Sequence, residues 1–166
     1  EEIGLVTNTL GVMPTVQREL VGRGVTFTEA VAVNPLCCPS RATILTGLYS
    51  HTTGVYTNDP DMHGGFPAFR DGSTIATWLH DAGYRTGYVG KYLNEYGGSW
   101  APPGLERWFT PPGWDVWLGY GGGYHAYEVM VGGLLGGAGT SISDYSTDVF
   151  ANEAVSFVQS TGDEPF

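Results

Sequence analysis

Positive charge is scarce in this chain. Seven Lys and Arg residues face seventeen Asp and Glu across 166 residues, for a net charge of −10, and Lys91 is the only lysine. That balance argues against nucleic acid or anionic membrane surfaces as partners. Cysteine is equally sparse. Cys37 and Cys38 are neighbours in sequence, where ordinary disulfide geometry is out of reach, so a disulfide framework is excluded. No apolar run approaches the roughly 20 residues that cross a bilayer. The leading Glu1-Glu2 lacks the basic region of a secretory leader, so any export signal is expected outside this chain. What the chain does have is 42% hydrophobic residues, 13% aromatics and 26 glycines. Length and hydrophobic content predict one compact unit that buries roughly 70% of its unfolded surface.

Along the chain, helix and strand patterns alternate, as in an α/β domain. Met13-Pro14 opens a short helix through Val16, Leu20 and Val21 that Gly22 and Gly24 end. Residues 24–33 (GVTFTEAVAV) alternate apolar with small or polar residues and predict a strand running into the Asn34-Pro35 turn. A helix is expected just after the cysteines, over Pro39 to Leu45, with Gly47 as its C-cap. Tyr49 to Arg70 shows little periodicity and predicts an irregular loop. Ser73 is the expected cap of a helix with Ile75, Ala76 and Leu79 on one face, closed by Gly83, and Arg85 to Tyr92 predicts a strand.

Residues 97–139 are rich in Gly, Pro and Trp and hold a near repeat, PPGLERWF (Pro102 to Phe109) and PPGWDVWL (Pro111 to Leu118). The glycines around 121–123 and 132–139 predict mobile loops or a hairpin, and no Gly-Lys-Ser/Thr follows that would make a phosphate loop. Asp144 to Gln159 predicts a closing helix with Val149, Phe150, Ala154, Val155 and Val158 on one face and Asp144, Ser146 or Asp148 as its cap. Glu164-Pro165-Phe166 resembles the approach to a further strand.

Cys37 is expected where strand hands over to helix, and helix N-terminal N–H groups favour an anion or an anionic nucleophile. Arg41 follows one helical turn later, on the same face. Spacing alone leaves two readings open: a nucleophile beside an anion clamp, or two small buried hydrophobes near a surface cation. His63, His80 and His125 lack the paired spacing of a zinc site. The Trp and Tyr residues from Trp100 to Tyr127 suit either sugar stacking or core packing.

The run Cys37-Cys38-Pro39-Ser40-Arg41, followed by Ala42-Thr43-Ile44-Leu45-Thr46-Gly47, resembles the sulfatase signature Cys-x-Pro-Ser-Arg-x-x-x-Leu-Thr-Gly. A second block, Gly90-Lys91-Tyr92-Leu93-Asn94-Glu95-Tyr96, resembles the family's Gly-Lys segment. Together the wording is similar to the N-acetylglucosamine-6-sulfatase and heparan-sulfatase branch and to bacterial arylsulfatases. The resemblance implies the alkaline-phosphatase-like α/β fold, a mixed sheet flanked by helices, of which residues 1–166 form an N-terminal portion. It further implies that Cys37 is converted to formylglycine by a formylglycine-generating enzyme. Calcium, with magnesium as the alternative, would be bound by that converted residue.

Catalytic roles then fall to Cys37, Arg41 and Lys91, and substrate contacts to His51, Asn58 and Asn94. Many members carry a histidine two positions after the lysine, where this chain has Leu93, so one acid/base role lacks an obvious occupant. The family's Asp-Asp calcium pair is expected before this chain begins. A catalytic histidine, an Asp-His or Asp-Asn metal pair and another lysine are expected after Phe166, in the rest of the sulfatase chain. The implied activity is hydrolysis of sulfate esters of a glycan or an aryl alcohol. The alternatives are a formylglycine-dependent phosphonate or phosphodiester hydrolase, and a truncated non-catalytic domain that binds anionic glycans. The resemblance implies a periplasmic, extracellular or lysosomal location.

Overall fold

The computed structural model describes residues 9–97, 109–120, 128–131, 134–138 and 145–166. The chain divides into two units, Glu1–Ala32 and Val33–Phe166, where length alone predicts one. In the first unit, Pro14 opens α1 (Pro14–Val16), which continues as a π-turn over Gln17–Val21 and ends at Gly22. The strand expected over residues 24–33 does not form. Val25, Phe27 and Val31 are exposed, and Thr28 and Glu29 make a turn. Alternation favours a strand only where a neighbouring strand supplies ladder partners, and among the described residues none does.

In the second unit, Leu36 is extended and α2 (Cys37–Thr46) starts at Cys37 itself, two residues earlier than the position of Pro39 suggests. Proline has no N–H, so it is tolerated in the first turn, where backbone donors lack intrahelical acceptors. Cys38, Ala42 and Leu45 form the buried face of α2. Gly47 closes it with φ of 71° and an N–H donated to the Thr43 carbonyl. The predicted loop from Tyr49 to Arg70 contains α3 (Ser50–Thr53) and two 3-10 turns, Pro60–Met62 and Phe66–Ala68.

For α4 (Ile75–Asp81), the cap is Thr74 rather than Ser73. The Thr74 N–H donates to Thr77 Oγ1 at 3.0 Å, and that hydroxyl donates back to the Thr74 carbonyl at 2.9 Å. Ser73 Oγ instead accepts from the Trp78 indole. Ala76 is buried and Leu79 half-buried, whereas Ile75 is exposed.

Four strands form one mixed sheet in the order β1-β2-β3-β4: β1 (Gly87–Lys91), β2 (Val116–Tyr120), β3 (Glu128–Val131) and β4 (Leu134–Ala138). β1 and β2 are parallel, with Lys91 opposite Tyr120, and the two later pairings are antiparallel. The expected hairpin is thus β3-β4, while residues 98–108, 121–127 and 139–144 lie outside the described residues. β2 has no counterpart in the sequence reading, because the repeat Pro111 to Leu118 presents as a turn with an aromatic anchor.

The two-residue period of the strands sends Tyr88 and Trp117 to one side of the sheet and Val89, Leu118 and Tyr120 to the other. On the first side, Tyr88 and Trp117 join Phe66, Phe69, Tyr92 and Tyr96 and the buried face of α2 in the main core. Ring pairs such as Tyr88–Trp117, stacked at 4.7 Å, and Tyr92–Trp117, edge-on at 5.0 Å, each contribute about 0.5–1.5 kcal/mol beyond area burial. On the other side packs α5 (Ser146–Thr161), through Phe150 and Phe157. Gly87 permits that approach, since a Cβ there would lie 2.8 Å from the Phe157 ring.

The face of α5 differs from expectation. Phe150 packs as expected, but Ala154, Val155 and Val158 are exposed and Phe157 makes the second contact. Tyr145 is its N-cap, with no side-chain capping hydrogen bond, and Asp144 lies outside the described residues. The terminal residues return to β1, where the Arg85 N–H donates to the Pro165 carbonyl at 2.8 Å.

Candidate active site

Cys37 is the first residue of α2 and is half-buried. Its neighbour Cys38 is fully buried and carries the contacts that fix the helix start. Leu36 has no side-chain acceptor to offer the first turn. The cap comes from twenty residues away instead, where Asn58 Oδ1 accepts the Cys38 N–H at 2.8 Å. This satisfies one of the donors that a helix N-terminus leaves open. From the segment after β1, the Asn94 N–H donates to Cys38 Sγ at 3.1 Å, and the thiol reaches Asn94 Oδ1 at 3.6 Å. Burial pushes the Cys38 thiol pKa up, opposed by the Asn94 N–H and by the charges of Lys91 and Arg41. Cys38 is therefore a protonated anchor, and Cys37 is the cysteine left at the helix end.

The two cationic residues are joined through the backbone of Lys91. Arg41, one turn into α2, donates from Nη1 to the backbone carbonyl of Lys91 at 2.6 Å. Tyr88, earlier on β1, donates its hydroxyl to the same carbonyl. Burial raises the Tyr88 phenol to about 12, with the Arg41 charge opposing. Among the described residues neither Arg41 nor Lys91 forms an ion pair with a carboxylate. In a chain of net charge −10, two cations without acidic partners among the described residues, close to a helix N-terminus, are a combination that suits an anion.

The structure thus brings Cys37, Arg41, Lys91, Asn58 and Asn94 together around one end of α2. His51 is not part of that hydrogen-bonded group. It lies on α3, exposed, with its ring stacked on Tyr49 at 5.8 Å. Leu93, in the position where many sulfatases carry histidine, is fully buried in the core. His80 pairs with Asp115 at 3.2 Å, and His125 lies outside the described residues. Tyr88 is the residue that sequence reasoning missed. Its only signal was a polar-tipped aromatic three positions before the sole lysine, in an expected strand.

Among the described residues no three His, Cys, Asp or Glu side chains stand close enough to hold a metal ion. A calcium ion takes six to eight oxygen ligands. Near Cys37 the described amide oxygens are those of Asn58 and Asn94, both engaged by Cys38. The described residues do not by themselves form a calcium site.

The sulfatase family model matches residues 2–166. The chain belongs to the sulfatase family. It is 36% identical over 157 residues to the Drosophila melanogaster homologue of an extracellular sulfatase, covering 92% of this chain and 13% of that protein. To human N-acetylglucosamine-6-sulfatase it is 37% identical over 158 residues, covering 90% of this chain and 28% of the relative. Among solved structures, a protein in complex with its substrate D-glucosamine-2-N,6-O-disulfate superposes with a TM-score of 0.59 at 27% identity. That match covers 84% of this chain and 25% of the other. The chain spans less than a third of the length of these relatives. Its sheet and helices form part of the alkaline-phosphatase-like sulfatase fold. No helix among the described residues is long and apolar enough to cross a membrane.

Proposed function

We propose that the protein hydrolyses sulfate esters of a sulfated glycan, with 6-O-sulfated glucosamine as the favoured substrate class, through Cys37 converted to formylglycine. The observation that carries this reading is the junction of Arg41 with the Lys91 carbonyl at 2.6 Å, beside the helix end that Cys37 begins. The names of the human relative and of the bound substrate in the structural neighbour favour the glucosamine 6-sulfate class.

Once converted and hydrated, Cys37 supplies a geminal diol, with one hydroxyl to attack sulfur and a second whose deprotonation expels sulfate, a route closed to serine. The remaining roles belong to side chains already in place. Beyond its bond to the Lys91 carbonyl and its contact with the Tyr88 hydroxyl, the Arg41 guanidinium has further donors for the sulfuryl oxygens. Lys91 adds a compact positive charge, and both offset the charge that develops as the ester bond breaks. Asn58 and Asn94 contribute by holding the first turn of α2, and with it Cys37, at a fixed distance from Lys91. His51, exposed beyond that group, suits contact with the departing sugar.

Calcium, which the family resemblance implies, requires oxygen donors beyond those described, and no step here is routed through it. The formylglycine-generating enzyme is the implied maturation partner. An extracytoplasmic location follows the extracellular relative.

The test is sulfate release from N-acetylglucosamine 6-sulfate and from an aryl sulfate by protein matured in its native host, beside a Cys37→Ala variant. Release by the first and none by the second is expected. Release that survives Cys37→Ala, or no release from either ester, overturns the reading.

A further inference from the structure

We propose that Tyr88 is a positioning residue for the anion-binding pair, setting Arg41 and Lys91 in one register through the carbonyl they share. This rests on the reading of Arg41 and Lys91 as sulfuryl ligands. The Lys91 carbonyl has two lone pairs, and two donors take them: Arg41 Nη1 from α2 and the Tyr88 hydroxyl from β1. A single acceptor thus connects the helix that carries Cys37 to the strand that carries the lysine.

Gly90, immediately before Lys91, has φ of 124°, a region in which only glycine is at ease and which its missing side chain does nothing to stiffen. Beyond it, the Tyr92 N–H donates to the Tyr120 carbonyl at 2.9 Å, and because that N–H shares a planar peptide group with the Lys91 carbonyl, the ladder turns the carbonyl away from β2, where Arg41 and Tyr88 meet it.

Tyr88 itself has no freedom to wander. Its ring is stacked on Trp117 at 4.7 Å and meets Tyr92 and Trp114 edge-on at 5.4 and 5.2 Å. The hydroxyl is therefore aimed by packing. With its phenol raised to about 12, it remains a proton donor throughout neutral and mildly alkaline pH. Tyr88→Phe removes the hydroxyl and keeps the ring, so the core survives while the carbonyl that orients Arg41 loses its second donor.

The experiment measures KM, kcat and the inhibition constant of inorganic sulfate, with an aryl sulfate as substrate. The proteins are the mature full-length enzyme, Tyr88→Phe, Arg41→Lys and the double variant. Tyr88→Phe is expected to raise KM and the sulfate inhibition constant together by about tenfold while kcat stays within about twofold. In the Arg41→Lys background the same change is expected to add little, because the two residues act as one unit. A lowered melting temperature with unchanged KM and sulfate constant would make Tyr88 merely structural and overturn the proposal. So would effects of the two substitutions that multiply independently. If the wild-type protein neither turns over the ester nor is inhibited by sulfate, the sulfatase reading falls, and the role of Tyr88 falls with it.

Discussion

Two stretches of this chain carry the same kind of alternation, and only one becomes a strand. Residues 24–33 (GVTFTEAVAV) leave Val25, Phe27 and Val31 in solvent, whereas within residues 85–92 (RTGYVGKY) Gly87–Lys91 forms β1. The difference lies in what surrounds them. β1 has β2 beside it in parallel register, the aromatic core on one side and α5 on the other. Residues 24–33 have no ladder partner among the described residues. A period of two states which faces a strand would have, and a neighbour decides whether the strand exists. The candidate active site depends on the second stretch, because Lys91 ends β1 and Tyr88 lies within it.

Substitutions that remove what β1 has, or disturb what residues 24–33 lack, would break or sharpen this contrast. Gly87→Val should have the largest effect, since its side chain enters the space of the Phe157 ring, at a cost of about 1–3 kcal/mol read from the urea midpoint. Phe157→Ala in the same protein should recover part of that loss, and unchanged stability would mean that α5 does not seat on β1 as described. Asn58→Ala removes the distant cap of α2 and should cost about 1 kcal/mol, measured in the same way. A null result there would mean that the helix start has another acceptor.

Acid titration addresses the entry to β1. The Thr86 N–H, donated to Asp115 Oδ2 at 2.8 Å, holds the Asp115 carboxyl below the usual range, aided by the Thr86 hydroxyl and His80. A folded-state pKa that is depressed gives stability that is present above the unfolded value, near 4, and lost as pH falls through the folded one. Asp115→Asn should therefore flatten the acid limb of the stability curve below about pH 4 and change its slope little near neutrality. An acid limb identical to the wild type would remove Asp115 from the account. The smallest effect belongs to Phe27→Ser, expected within about 0.5 kcal/mol. A larger loss would show that residues 24–33 are packed, and the contrast with β1 would disappear.

Local signals carried much of the site. The run from Pro39 to Gly47 announces a helix with a glycine cap, and the lone lysine stands out against an acidic background. Nonlocal partners account for what was illegible. No local pattern places Asn58 against the Cys38 N–H, twenty residues away, or aims the Tyr88 hydroxyl at a backbone carbonyl. Val155 and Val158 look like a core face on a helical wheel. Phe150 packs as the wheel predicts, but its companion is Phe157, because Gly87 leaves room at that point and nothing in the sequence of α5 signals it. The same holds for the start of α2, which follows the Asn58 cap rather than the position of Pro39.

The division of labour between the adjacent cysteines is the centre of this account, and mass spectrometry tests it directly. The tryptic peptide from Gly24 to Arg41, taken from protein made in its native host, contains both. The account expects Cys37 to have exchanged its thiol for an aldehyde oxygen and Cys38 to have kept its own. An unmodified Cys37 in a host that matures other sulfatases, or conversion at Cys38, would contradict it.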